Sequence, residues 1–211
     1  MKDIDQLVSE LANDAPAVQP APHPFLLSLQ WMAAAAVYLV VSLLISGLRP
    51  DLAQALLQPW YIAEVVVLLL IFIATTFSAA LLAFPDLHQK RGLAFAPVAM
   101  FILFLLVMLF AWRADSPPAP LPVHSFMCTI SIIMVSLLQM AWTLYAMRRF
   151  ASTHYQLAGA IALLSAFSVG ALWLRLHEVN DSTAHVIEWH YLPMLAFGLA
   201  GLWLGKLLLK W

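Results

Sequence analysis

Imidazole, thiol and carboxyl groups gather in two short stretches of this sequence. His124 and Cys128, the one cysteine of the chain, are four residues apart, so a helix displays them on one face. The second stretch, residues 177–190, holds three histidines and three carboxylic acids. Imidazole together with thiolate suits zinc, copper or a similar borderline-soft ion, and imidazole titrates at about pH 6.5. The residues leave three alternatives open: a metal site, a proton sensor, or ordinary histidines at a membrane surface.

The spacing within the second stretch permits one helical face that carries several of these groups. His177, Asp181, His185 and Glu188 follow one another at intervals of 4, 4 and 3 residues. A competing interpretation makes Asp181 part of a turn and a helix cap before the last apolar segment. The motifs GxSxG and HExxH and a phosphate-binding loop do not occur in the sequence. No enzyme is therefore predicted.

The composition places these groups in a membrane protein. Of 211 residues, 64% are apolar and 10% are charged, whereas soluble domains have about 25% charged residues. Mean hydropathy is +0.89, and the formal net charge is −1. These values exclude an ordinary soluble domain, a disordered chain and a nucleic-acid binder with a basic face. A single cysteine also excludes a disulfide within the chain.

Six apolar runs are each long enough to cross a bilayer as a helix, which takes about 20 residues. The runs lack the alternation of a membrane β-barrel, and backbone amides in lipid must be hydrogen-bonded within their own helix. The sequence therefore predicts an all-α polytopic membrane protein, a bundle of six transmembrane helices. The predicted spans are residues 25–48, 60–84, 93–112, 123–147, 157–176 and 187–209.

Lysine and arginine residues near the ends of the spans predict the orientation of the bundle. Six spans place both termini on one side, and seven of the ten basic residues lie on that side. The other side has Arg49, Arg113 and Arg175. Both termini are therefore predicted to be cytoplasmic, and the connections around residues 49–59, 113–122 and 177–186 face outward.

Residues 1–24 are predicted to form a separate cytoplasmic segment, followed by a transmembrane domain over residues 25–211. The segment combines a short amphipathic helix with a proline-rich linker. One apolar stripe of the helix has acidic residues opposite to it, and a helix this short needs a surface on which to bury such a stripe. That surface is the bundle, the membrane surface or a groove on a soluble partner. The stripe consists of Ile4, Leu7, Val8 and Leu11.

Glu64 is the carboxylate that lies deepest in a predicted span, one turn inside the second run. Charged groups inside a bilayer are costly and are candidates for function. Its depth favours an interfacial position. Three partners are open to it there: lipid headgroups, Arg175 and Arg113.

Four passages of the chain resemble one protein family. They are the acidic stripe at residues 3–14, the sequence GLRPDL at residues 47–52 with Pro59 and Trp60, residues 125–160 with Cys128, and residues 176–211. In these passages the chain is similar to the NrsF-type membrane anti-sigma factors, which are negative regulators of an extracytoplasmic-function sigma factor.

The resemblance implies that the N-terminal segment holds such a sigma factor at the bacterial inner membrane, away from RNA polymerase. It implies no direct contact with nucleic acid and the release of the sigma factor on an outward-facing stress signal. In the family, heavy-metal or oxidant stress is associated with two outer cysteines. Cys128 matches the first of them, and Glu178 stands at the second position.

Because a single thiol cannot form a disulfide within the chain, the hypothesis from this departure is a site that binds a transition or heavy metal ion as the signal. No cofactor is certain from the sequence. The alternative function is a small ion or metabolite transporter with an outer histidine-rich entrance. The predicted metal ligands are His124, Cys128, His177, Glu178 and His185.

Overall fold

The computed structural model describes residues 3–14, 21–85, 91–114 and 126–210. Within these ranges the chain is helical and has no strand, which confirms the predicted all-α class. In chain order the helices are α1 Ile4–Asp14, α2 Pro24–Ser46, α3 Leu52–Ala55, α4 Pro59–Leu82, α5 Arg91–Ala94, α6 Ala96–Ala114, α7 Phe126–Met147, α8 Tyr155–His177, α9 Thr183–His185 and α10 Leu192–Leu208. A π-helix, Val186–Tyr191, joins α9 to α10.

Six helices in the described ranges are long and apolar enough to cross a membrane, as the sequence predicted. The third of these helices combines α5 with α6, and the sixth runs from α9 through the π-helix to α10. Their bounds agree with the predicted spans to within about four residues. The bounds are Pro24–Ser46, Pro59–Leu82, Gly92–Arg113, Phe126–Met147, Tyr155–His177 and Thr183–Leu208. Prolines begin α2 and α4, where the missing amide hydrogen has no helical partner anyway. Residues 123–125 of the predicted fourth span lie outside the described residues.

The helix α8 forms the centre of the bundle. Of the most apolar stretch of α8, 89% of the residues are buried inside the bundle, compared with 17% for α2. Small residues allow the close packing that stabilises helices in lipid, where the hydrophobic effect contributes little. A Cβ atom added to Gly205 on α10 would lie 2.1 Å from the carbonyl oxygen of Tyr155, and one added to Gly159 would lie 2.3 Å from that of Gly201. The backbones of α8 and α10 are therefore in direct contact.

The helix α2 lies at the periphery and packs on α4 and α8. The end of α2 that is predicted to be cytoplasmic follows the N-terminal segment. The other end of α2 stops at Gly47, whose φ of 84° is not helical. A few polar contacts hold it, including a hydrogen bond of 2.6 Å from the Tyr38 hydroxyl to the carbonyl oxygen of Val135. The polar contacts at the Gly47 end are described below.

The N-terminal helix α1 has no buried residue. The four stripe residues are between 47% and 75% exposed, so the apolar face predicted from Ile4, Leu7, Val8 and Leu11 is not covered by the described bundle. Residues 15–20 lie outside the described residues. The division into residues 1–24 and 25–211 stays a prediction.

Candidate functional site

Ionisable side chains concentrate at one end of the bundle, which we call the polar end. It is formed by the connection between α2 and α4, by the connection between α8 and α10, and by the start of α7. Two groups of side chains lie there. The first is the arginine network of Arg49, Asp51, Glu64, Arg175 and Asp181, and the second is the donor group of Cys128, Glu178, His185 and His190.

Arg49 is the hub of the arginine network. Its side chain is fully buried, and its Nε and Nη2 atoms donate to the two carboxylate oxygens of Asp51 at 2.8 and 2.9 Å. Its Nη1 and Nη2 atoms donate to Asp181 at 2.8 and 2.7 Å. Two fork-like pairs fix the guanidinium plane. The GLRPDL stretch therefore places a buried cation between two connections of the bundle.

Arg175 forms the second half of the network, on the last turn of α8. Its Nε and Nη2 atoms lie 2.7 and 2.8 Å from the two oxygens of Glu64, and its Nη1 donates to Asp181 at 3.1 Å. The hydroxyl of Tyr191 donates to Glu64 as well. The structure thus pairs Glu64 with Arg175, one of the three open alternatives. The predicted turn and cap before the last apolar segment are present, but the cap position is taken by Ser182. The carboxylate of Asp181 instead joins the two arginines.

The network also shifts acid–base equilibria. Hydrogen bonds from Arg49 to Asp181 and Asp51 are the main reason that the pKa of Arg49 lies above its ordinary value, although burial opposes the shift. The hydrogen bond from Arg49 lowers the pKa of the Asp51 carboxyl below its usual range. Both shifts favour the charged forms. The network is therefore a set of mutually neutralising charges.

The end of α2 is attached to the end of α8 by three further contacts, which we call the α2–α8 joint. The backbone amide of Arg49 donates to the carbonyl oxygen of Leu176 at 2.9 Å. Nδ1 of His177 lies 2.9 Å from the carbonyl oxygen of Gly47, and the indole of Trp173 donates to Ser46 Oγ at 2.9 Å. Since the His177 ring also stacks on Trp173, His177 belongs to this joint.

The donor group lies next to the joint. The Cys128 thiol, on the first turn of α7, donates to Glu178 Oε1 at 3.3 Å. The Nε2 atoms of His185 and His190 lie 3.4 and 3.1 Å from Oε1 and Oε2 of the same carboxylate. One ligand atom from each of the four side chains lies within 4.8 Å of all the others. The thiol of α7, the carboxylate of the connection after α8 and the imidazoles of α9 and the π-helix therefore meet at one point.

Burial makes this group unusual. His185 and His190 are 1% and 0% exposed. Among the residues that the structure describes, both ring nitrogens of each histidine and Oε2 of Glu178 lack a partner in hydrogen-bond geometry. Buried polar groups without a partner are costly, and a bound ion or water is one explanation for them. Burial raises the pKa of Glu178, but contacts with His190, Cys128 and His185 outweigh it, so the pKa is below the ordinary value.

The π-helix explains why His190 escaped prediction. Five residues of an α-helix turn by about 500°, which leaves residues 185 and 190 about 140° apart around the axis. The i→i+5 hydrogen bonds of a π-helix bring such residues close to one face, and the two imidazoles meet at 5.0 Å between centroids. The carbonyl oxygen of Trp189 accepts a hydrogen bond of 2.6 Å from Thr129 of α7, which anchors the turn.

Of the five predicted metal ligands, the structure brings together Cys128, Glu178 and His185 and adds His190. It does not bring in His177, which is engaged in the α2–α8 joint. His124 lies outside the described residues. The predicted helical face with intervals of 4, 4 and 3 is wrong, since Asp181 joins the arginine network and Glu188 is exposed.

Comparison with known proteins supports a regulatory role. Residues 11–211 match the family model described as negative regulator of sigma F. The chain is 30% identical to the anti-sigma-F factor NrsF of Caulobacter vibrioides (strain NA1000 / CB15N), over 98% of this chain and 99% of that protein. It is 28% identical to the probable anti-sigma-F factor NrsF of Azospira oryzae (strain ATCC BAA-33 / DSM 13638 / PS), again over 98% and 99%. No solved structure matches the chain.

These matches confirm the resemblance that the sequence showed in its four passages. They cover nearly the whole chain, including both groups at the polar end and the last turn of α1. The family description assigns regulation of a sigma factor, which fits an all-α bundle whose helices can cross a membrane. The chain belongs to the NrsF family, the negative regulators of sigma F.

Proposed function

We propose that this membrane-bound anti-sigma factor captures an extracytoplasmic-function sigma factor with the apolar stripe of α1. The observation that carries the proposal is the exposure of Ile4, Leu7, Val8 and Leu11 on a helix with no buried residue. A water-exposed apolar stripe with acidic residues opposite to it is suited to a groove on a soluble partner. Anionic lipid is a poor alternative surface, because the polar face of α1 is acidic.

The bundle holds this complex at the bacterial inner membrane with both termini in the cytoplasm. The support is the excess of lysine and arginine on the side of the termini, seven residues against three. In this orientation the polar end faces the envelope. The sigma factor and the stimulus are then on opposite sides of the membrane, so a signal must cross the bundle.

We propose that α2 transmits this signal across the bundle. Its inner end continues into the segment that carries α1, and its outer end is attached by the α2–α8 joint to residues that flank Glu178. A ligand that moves Glu178 would shift the attachment of α2. A ligand shifts such an equilibrium only by its differential affinity for the two states, at about 1.4 kcal/mol per factor of ten. A transition or heavy metal ion is the stimulus that the donor group favours.

Capture of the sigma factor is tested with the full-length tagged chain, solubilised in mild detergent from its native cells. Leu7→Asp with Leu11→Asp places two charges on the stripe, and Gln6→Asp with Asn13→Asp places the same charges on the opposite face. We expect the first pair to lower sigma-factor retention at least about 100-fold, because burial of unpaired charge is costly. The control pair should retain the sigma factor.

Equal retention by both double variants would overturn the role of α1. Absence of a sigma factor from every sample would instead favour the transport alternative, which a liposome flux assay tests directly. A sigma factor retained by the full chain and lost on deletion of residues 1–24 would support the proposal.

A further inference from the structure

We infer that Cys128, Glu178, His185 and His190 form a four-ligand binding site for a divalent ion of the zinc class. The inference deepens the proposed function, on which only the role of the ion as signal rests. The ligand set comes from the structure, since His190 joins it across the π-helix and His177 is engaged elsewhere. Binding itself is a property of the chain alone.

The distances are close to those of a tetrahedral site. Zn–N, Zn–O and Zn–S bonds of 2.0 to 2.3 Å place ligand atoms about 3.3–3.8 Å apart. His190 Nε2 lies 3.1 Å from Oε2 of Glu178, and Cys128 Sγ and His185 Nε2 lie 3.3 and 3.4 Å from its Oε1. One ligand atom from each of the four side chains lies within 4.8 Å of the others. Small side-chain movements would therefore close the group around one ion. Those movements would displace residues of the π-helix and of the α2–α8 joint.

The electrostatics also favour a cation. The arginine network and the donor group together contain two guanidiniums and four carboxylates, Asp51, Glu64, Glu178 and Asp181. Between them, the two guanidiniums pair with Asp51, Glu64 and Asp181. Among the described residues, Glu178 therefore has two imidazoles and a thiol as its partners. A divalent ion would neutralise this carboxylate and bind one buried nitrogen of each imidazole ring.

The chemistry of the donors selects the class of ion. Two imidazoles, one thiolate and one carboxylate suit Zn²⁺ and similar borderline-soft ions, whereas Mg²⁺ and Ca²⁺ prefer oxygen ligands alone. Binding forms a metal–sulfur bond and transfers the thiol proton of Cys128 to solvent. The hydrogen bond that the thiol now donates to Glu178 is lost in that step. Nothing is oxidised or reduced.

The site and the joint share the connection after α8. Glu178 lies between His177, which contacts Gly47, and Val179, whose carbonyl oxygen accepts from Arg49 at 3.3 Å. Cys128 belongs to α7 and His190 to the π-helix. An ion would draw these elements toward Glu178. It would thereby change the contacts of His177 and Val179, which hold the outer end of α2. Under the proposed function, this displacement weakens the grip on the sigma factor.

The test measures binding of Zn²⁺ and Co²⁺ to the purified full-length chain in detergent, by competition with a chromogenic chelator. We expect one ion per chain and a thiolate-to-Co²⁺ charge-transfer band that Cys128→Ser abolishes. Glu178→Gln and His190→Gln should weaken binding by at least about 100-fold, since loss of groups that merely support ligands already costs 10–100-fold. The matched controls Glu188→Gln and His154→Gln, both at exposed side chains outside the donor group, should bind like the wild type.

Size-exclusion profiles verify the fold of each variant, and Cys128→Ser changes only one atom of a partly exposed side chain. Absence of stoichiometric binding, or a Co²⁺ complex with no thiolate band, would overturn the site. Equal losses in the control variants would overturn this ligand set. Because no sigma factor is present in the assay, failure here is distinct from failure of the anti-sigma mechanism, which the retention experiment tests.

Discussion

The two groups at the polar end are neighbours that solve the problem of buried charge differently. In the arginine network each guanidinium faces carboxylates on two sides, and both arginines are 2% exposed. In the donor group the two histidines are equally buried, but their Nε2 atoms share the single carboxylate of Glu178. Their Nδ1 atoms have no hydrogen-bond partner among the described residues. The paired charges of the network form a scaffold that holds the connections together. The donor group instead has the composition of the ion-binding site that we propose.

The largest expected effect comes from breaking the scaffold. Arg175→Met leaves Glu64 without its guanidinium in a buried place and removes one contact of Asp181. Removal of one partner of a buried pair costs about 3–5 kcal/mol, so we expect a large fall in the thermal stability of the chain in detergent. Arg113→Met is the matched control, because Arg113 is exposed. An equally stable Arg175→Met protein would show that the network is not a scaffold.

An intermediate effect should come from filling the donor group. Zn²⁺ at a concentration 100 times its dissociation constant should stabilise the folded chain by about 2.7 kcal/mol. Glu178→Gln should lose this gain. Without zinc it should destabilise the chain less than Arg175→Met does, because among the described residues the Glu178 carboxylate contacts two imidazoles and a thiol and no guanidinium. Thermal unfolding with and without zinc measures both quantities. A loss in the zinc-free variant as large as that of Arg175→Met would place Glu178 in the scaffold instead.

The smallest expected effect is a loss of folding stability in acid that comes from Asp51 of the arginine network. The pKa of Asp51 is lowered in the folded chain by the hydrogen bond from Arg49. The folded chain therefore binds fewer protons than the unfolded chain in this range, and the stabilisation is complete above the unfolded pKa of about 3.9 and lost as the pH falls toward the folded value. Asp51→Asn should reduce the change of the free energy of unfolding with pH in this window. Near pH 7 the slope of that free energy against pH should be the same in the variant and the wild type. Parallel profiles would contradict the assignment.

The spans and the Glu64 pair show how far local sequence reaches. The length of an apolar run determines where a helix can cross lipid. The six spans were therefore predictable from the apolar runs and the polar residues, prolines and glycines between them. Depth in the second span restricted Glu64 to a few partners, and Arg175 is the one that it contacts. Both properties depend on position along a helix, which the sequence states directly.

Arg49 and His190 show where local sequence stops. Arg49 was predicted as an outward-facing charge and as part of the GLRPDL passage, but without a partner, because its contact with Asp181 joins residues 132 positions apart. His190 was separated from His185 by an α-helical angle, and only the change to π-helical hydrogen bonding brings the two together. A shift of register within a helix has no reliable signal in residue types, and neither does the packing that decides which connections meet.

The glycine contacts between α8 and α10 have a consequence for how the polar end can move. There is no room for even a methyl group between Gly159, Gly201 and Gly205, so the backbones of the two helices touch. Sliding between the helices would separate these backbones. A displacement in the connection that joins α8 to α10 is therefore poorly accommodated where the two helices meet. It passes more readily to α2, the least buried of the six long helices in the described ranges.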